Sequence, residues 1–208
     1  MNTPRLRAFV DYHRYFTSIE PRAIHTASPS KLLYFSADSV LNSTLSYRTD
    51  VSYVVESHSD ATHVTTTEIQ KGMDTAPYVV VTTGSLFSDK VSINGETAVR
   101  INKWLSPLKT FAMFPVKFEQ DGGVYIWRCQ GDGQLILYEG VDSHTPIAWF
   151  QRSRRRLVNN LPTVHPASLA LQPAAVKIQD IVVASFLILE HKRRTTLQKR
   201  SNSKILPR

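Results

Sequence analysis

The chain has 208 residues, with 42% hydrophobic and 20% charged residues, which excludes a wholly disordered protein and allows one large domain or two small ones. Its single cysteine, Cys129, excludes an internal disulfide framework and any zinc site built on several thiolates. The net charge of +8 is unevenly placed: residues 1–151 hold 13 basic and 15 acidic residues, whereas residues 152–208 hold 12 basic and only two acidic ones, Asp180 and Glu190. An asymmetry of this kind points to an anionic partner surface.

Residues 1–30 mix Pro4, Pro21 and Pro29 with scattered charge and read as a loosely ordered leader. Met1–Ala23 contains no apolar core of the kind a secretion signal needs, so a cytoplasmic location is expected. Ordered structure should begin at Lys31–Phe35. Further strands are expected at Val40–Leu45, Ser52–Glu56, Ala61–Ile69 and Tyr78–Thr82, where branched and aromatic residues favour a pleated surface. Asn94-Gly95 is a strong hairpin signal, because both central positions of a tight primed turn need positive φ, and Ala98–Trp104 would be the returning strand. Phe111–Phe118, with Pro115 inside it, reads as an edge or bulged strand. Val124–Arg128, Leu135–Tyr138 and Pro146–Gln151 follow, separated by Asp121-Gly122-Gly123 and Gly131-Asp132-Gly133. Short strands at this spacing argue an antiparallel sandwich or barrel.

The end of the chain differs. Ala174–His191 lacks Gly and Pro, and its centre, Ile181–Leu189, is apolar apart from Ser185. Periodicity alone does not separate a buried helix from a buried strand here, but length favours a helix. A helix apolar on every side must be buried on every side, and the inside of a β-barrel is the natural place for it. The apolar run is far short of the roughly 20 residues of a bilayer span. Thr195–Arg208 reads as a basic disordered tail. The expected domain is therefore residues 31–194, with a buried helix at about 174–191.

Four stretches carry a family resemblance: Tyr34-Phe35 with Ser39–Leu45, Thr65–Ile69, Asp121–Arg128, and Gln179–Glu190 followed by Lys192-Arg193-Arg194. In order and spacing they resemble a fungal domain family of unknown function that is similar in fold to the tubby C-terminal domain, the phospholipid scramblases and the plant LURP-one-related proteins. The resemblance implies a mainly β fold, an antiparallel tubby-like β-barrel enclosing one apolar C-terminal α-helix. It implies lipid association only by analogy, since fold does not fix function.

No residue pattern points to catalysis. His58 and His63 alternate across a strand or turn, Cys129 has no local base, and Gly131 with Gly133 lacks the Gly-Lys-Ser/Thr ending of a phosphate loop. Asn42-Ser43-Thr44 matches a glycosylation sequon that needs secretion to be used. No cofactor and no metal are expected. The informative feature is the basic set Arg152, Arg154, Arg155, Arg156, Lys192, Arg193 and Arg194, because arginine forks suit phosphate. The expectation is a non-enzymatic binding or scaffold module that touches anionic phospholipid or phosphoinositide through this basic C-terminal side. The alternative is a protein-interaction module using the turns at Asn94-Gly95 and Gly131–Gly133. Nuclear import remains a competing use of the basic residues, while nucleic acid is disfavoured because no recognised module is present.

Overall fold

The computed structural model describes residues 28–84, 89–110, 112–158 and 161–203. Most of the expected leader lies outside these residues, but Ser30 is ordered against the sheet, its amide donating to the Leu171 carbonyl at 3.0 Å.

The chain runs β1 (Lys31–Phe35), β2 (Ser43–Tyr47), β3 (Asp50–Ser59), β4 (Thr65–Lys71), β5 (Pro77–Thr83), β6 (Lys90–Ile93) and β7 (Val99–Arg100). One helical turn, α1 (Ile101–Trp104), leads to β8 (Ser106–Pro107), β9 (Val116–Gln120), β10 (Gly123–Cys129), β11 (Leu135–Glu139) and β12 (Pro146–Gln151). A hairpin of β13 (Arg154–Val158) and β14 (Leu161–His165) follows, then β15 (Ser168–Leu171), α2 (Pro173–Lys177) and α3 (Gln179–Ser203).

Thirteen strands form one antiparallel sheet in the order β7-β6-β5-β4-β3-β2-β1-β15-β12-β11-β10-β9-β8, and β13 with β14 forms a second sheet of two strands. The expected closed barrel is not what forms: no hydrogen-bonded pairing joins the edge strands β7 and β8. These edges are nevertheless consecutive in the chain, bridged by α1, whose four residues rise only about 6 Å. Ile101 and Leu105, at the bridge, are buried in the main core.

The sheet curls because α3 has to be covered all round. Every residue from Ile181 to Glu190 is buried, and strands far apart in the sheet touch this segment. The Phe186 ring packs against Phe35 of β1 (centroids 5.9 Å), Phe150 of β12 (4.8 Å) and Trp127 of β10 (6.0 Å). Ser185, the one polar residue of Ile181–Leu189, has both needs met. Its hydroxyl donates to the Val182 carbonyl at 3.1 Å and accepts from the Trp127 indole at 3.0 Å. Near the start of α3, Asp180 pairs with Lys71 of β4 at 2.6 Å and accepts the Tyr53 hydroxyl of β3, while Gln179 donates to the same hydroxyl at 2.7 Å. Burial and the adjacent Asp180 hold the Tyr53 phenol well above its ordinary pKa, so it remains a neutral donor. The other face of β1, β15, β12 and β11 carries a smaller cluster of Ile136, Tyr138, Trp149 and Ala170. This explains why Leu135–Tyr138 and Pro146–Phe150 read as continuous rather than alternating apolar runs.

Several boundaries differ from the sequence expectation. The expected single helix over 174–191 is two, α2 and α3, broken at Ile178. α3 also runs on to Ser203, so Thr195–Ser203, expected as disordered tail, is helical; residues 204–208 lie outside the described set. No proline or glycine interrupts it, and Thr195 and Thr196 donate their hydroxyls to carbonyls one turn back, at 3.0 and 2.8 Å. Val40–Leu45 starts as strand only at Ser43, because Asn42 adopts positive φ (53°). In Ala61–Ile69 the first four residues are turn, held by the Asp60 carboxylate accepting the Thr62 and Val64 amides at 2.8 and 3.0 Å. Ala98–Trp104 gives two strand residues and then α1, and Phe111–Phe118 becomes strand only at Val116. The Asn94-Gly95 turn forms as expected, with both residues at positive φ (54° and 73°).

The upper half of α3 is fastened by a buried ion cluster. Glu190, with 0% exposure, accepts from Arg193 Nε and Nη2, both at 2.7 Å, and from Arg194 Nε at 2.8 Å. Arg194 also donates to the Asp38 carbonyl at 3.0 Å, tying the helix to the β1–β2 loop. Removing one member of a buried pair leaves the other charge uncompensated. Glu190→Ala should therefore lower the unfolding free energy by about 3–5 kcal/mol, read by chemical denaturation. Phe186→Ala should cost a similar amount, about 3–5 kcal/mol, by opening a cavity where three rings meet. If either variant unfolds at the wild-type midpoint, the helix is not held in the way described.

Candidate functional site

Strand direction decides which residues share an end of the molecule. All neighbours in the sheet are antiparallel. The turns after β1, β3, β5 and β10 and the segment after β12 therefore lie at one end, and the turns after β2, β4, β6 and β9 at the other. Asp180, at the start of α3, is bound to Tyr53 near the start of β3 and to Lys71 at the end of β4, so the helix enters from the second end. It leaves at the first end, where Arg194 meets the β1–β2 loop. Residues 190–203 of α3 and the β13–β14 hairpin thus emerge together.

Six of the seven basic candidates separate into three groups there. Arg193 and Arg194 are bound to Glu190, and Arg193 is only 8% exposed, so these two serve the fold. Arg152 is exposed but turned onto the β10–β11 turn, its guanidinium donating to the Gly133 carbonyl at 3.2 Å. A side chain at Gly133, which has φ of +80°, would meet Arg152 at 2.6 Å and Arg193 at 3.0 Å. The left-handed backbone favours glycine there, while the exposed Arg152 guanidinium that a side chain would crowd most is a flexible end free to shift. Arg154, Arg155 and Lys192 are exposed, and none of the three forms an ion pair among the described residues. Arg156 lies on β13 with its side chain outside the described residues.

The hairpin that carries Arg154 and Arg155 was not expected from the sequence, where a run of three arginines reads as solvated loop. Arg154 pairs with His165, Arg155 with Val164, Arg156 with Thr163, Leu157 with Pro162 and Val158 with Leu161. Beside the arginines it exposes three large aliphatic side chains: Leu157 (73%), Leu161 (69%) and Val164 (58%). The available signal was Asn159-Asn160 between two β-prone, apolar-containing stretches, since Asn tolerates turn conformations.

A second feature had no sequence signal, because its parts lie far apart in the chain. A cavity of about 470 Å³ opens between α3 and the inner faces of β4 and β5. Its lining includes Ile69, Val81, Leu187 and Ile188 within, and His63, His191, Lys192 and Lys199 towards the end where α3 leaves. Burial holds the His191 imidazole below the ordinary histidine pKa, with Asp89 opposing and Arg194 reinforcing the effect, so it is neutral at pH 7.

The remaining sequence candidates have the following surroundings. Among the described residues no three His, Cys, Asp or Glu side chains lie close enough together to hold a metal ion. Cys129 is half-buried and its thiol is pushed up by desolvation, the opposite of an activated thiolate. Its sulfur faces the Gln130 carbonyl at 3.6 Å. Gly131–Gly133 is a hairpin turn with the Asp132 carboxylate accepting the Gln134 amide at 2.9 Å. Among the described residues no helix is long and apolar enough to cross a membrane.

Neither the curated proteins nor the solved structures contain a match to this chain. A family model does match, over residues 38–195, which takes in the strands from β2 onward and the whole enclosed part of α3. The chain belongs to that family, DUF6593, a family of unknown function.

Proposed function

We propose that this protein is a non-enzymatic binding module that docks peripherally on an anionic bilayer through the β13–β14 hairpin and the exposed bases of α3. The supporting observation is the hairpin itself: Arg154 and Arg155 beside exposed Leu157, Leu161 and Val164, on two strands that belong to no larger sheet. An isolated two-stranded hairpin is marginal by itself, and leaving three aliphatic side chains in water forgoes about 1.5–3 kcal/mol each. Charge selects the partner. A hairpin with exposed leucines on both faces near its tip and arginines at its base suits an interface with phosphate above and hydrocarbon below, each base being worth about 1 kcal/mol near an acidic leaflet. Lys192, Lys199 and Arg200 emerge at the same end and add to that field.

The curled sheet around one apolar helix also supports the tubby-like reading of the architecture, with membrane contact at the end where the helix leaves. A cytoplasmic, peripheral location goes with this reading.

Co-sedimentation of the full chain with vesicles tests it. Binding is expected to vesicles containing phosphatidylserine or a phosphoinositide, not to pure phosphatidylcholine, and should fall as salt is raised. Arg154→Glu with Arg155→Glu should weaken binding about tenfold or more, and the uncharged pair Leu157→Asn with Leu161→Asn should do so without changing the salt dependence. Wild-type binding by both double variants would exclude the hairpin, and a partner that survives high salt would favour the protein-interaction alternative.

A further inference from the structure

The cavity beside α3 is a graded one. At its inner end the walls are Leu41, Ile69, Val81, Ile101, Leu187 and Ile188, and all of these but Leu41 are buried. Moving outward, β4 and β5 present Thr67, Thr65 and Thr83 in place of the apolar residues further in. The helix changes in step, from Leu187 and Ile188 to His191 and Lys192, then Thr195, Thr196 and Lys199. These positions recur three or four apart and so form one face. Lys192 and Lys199 lie two turns apart on that face, are exposed, and make no ion pair among the described residues. Asp89 is the one carboxylate among the described lining residues. His63 is carried to the rim by the turn that Asp60 holds, with φ of 60°.

The size lies within the roughly 300–1,000 Å³ of small-molecule sites. The inner walls are buried aliphatic side chains that offer water few hydrogen-bond partners, so a hydrocarbon group suits that end better than water does. The polarity profile defines the occupant. A neutral apolar molecule would satisfy the inner end and leave the two lysines idle. A small polar anion would satisfy the lysines and leave the inner end empty. We propose that this cavity binds one single-chain anionic amphiphile, its hydrocarbon tail lying between Ile69, Val81 and Ile188 and its anionic head, a carboxylate or a phosphate, held by Lys192 and Lys199. None of the hairpin residues lines this cavity, whereas Lys192 and Lys199 belong to both readings.

Isothermal titration of the full chain with decanoate, decyl phosphate and decanol, each below its micellar or solubility limit, tests this without any bilayer. Decanoate or decyl phosphate should saturate at one equivalent, the tighter of the two naming the head group, and decanol should bind about tenfold more weakly, about 1.4 kcal/mol. Lys192→Glu with Lys199→Glu, both exposed and remote from the core, should weaken the anions about tenfold and leave decanol unchanged. Thr67→Phe, which projects into the volume from β4, should block all three. Should Thr67→Phe fail to fold, the lysine variant decides. Absence of saturable binding by wild type, decanol binding equal to the anions, or wild-type affinity in the lysine variant would each overturn the proposal. The Arg154→Glu with Arg155→Glu variant should bind the amphiphiles normally, which separates this failure from failure of membrane docking.

Discussion

Nine consecutive helical positions, Ile181–Leu189, with no polar face except a single serine, set the constraint from which the architecture follows. Such a helix has no stable position on a surface, because any exposed side loses roughly 25 cal/mol for each Å² of apolar area left in water. The sheet answers by curling until β1, β3, β10 and β12 all reach it. Hydrogen-bonded closure is not required for this. A bridge of one helical turn between the two edge strands brings the ends together, with Ile101 and Leu105 buried at the bridge. The two ends of the helix are then distinguished by chemistry. A neutral Tyr53 with Asp180 and Lys71 marks the entrance, and a fully buried Glu190 with two arginines marks the exit.

That exit cluster sorts charge into two kinds. Arg193 and Arg194 neutralise Glu190 and fasten the helix to the β1–β2 loop, so they contribute little to an external field. Lys192, one residue earlier, points away from this cluster and lines the cavity. Lys192 thus has different neighbours from Arg193 and Arg194 because a helix turns about 100° per residue. A count of positive charge overestimates what a partner meets, and burial is what separates fastening charge from available charge.

Much of the fold was legible from local pattern. Lys31–Phe35 is strand as expected, the Asn94-Gly95 turn forms, and the all-round apolar run is the buried helix. The boundaries that moved did so through side-chain contacts invisible to periodicity. Asp60 takes the start of one expected strand into a turn, and Glu190, paired with arginines three and four residues on, carries α3 past its apolar part. The site was less legible for two separate reasons. The cavity is assembled from residues more than a hundred positions apart, such as Thr67 and Ile188. The hairpin was obscured because Arg154-Arg155-Arg156 suppresses every local strand signal, although cross-strand pairing with Val164 and Thr163 accommodates them.

The hairpin and the cavity also stand in different relations to stability. Leu157, Leu161 and Val164 belong to neither apolar cluster of the fold, so the core is complete without them. The inner end of the cavity is the reverse case, since Ile69, Val81, Leu187 and Ile188 are core residues first and line a ligand-sized space only because the opposing wall changes to threonine. A threonine occupies nearly the volume of valine while retaining a hydroxyl. The change from Ile69 to Thr67 and Thr65 along β4 therefore alters the polarity of the wall more than its shape. It is this change in polarity, matched by the helix from Ile188 to Lys192, that makes the space selective for a molecule with one apolar end and one charged end.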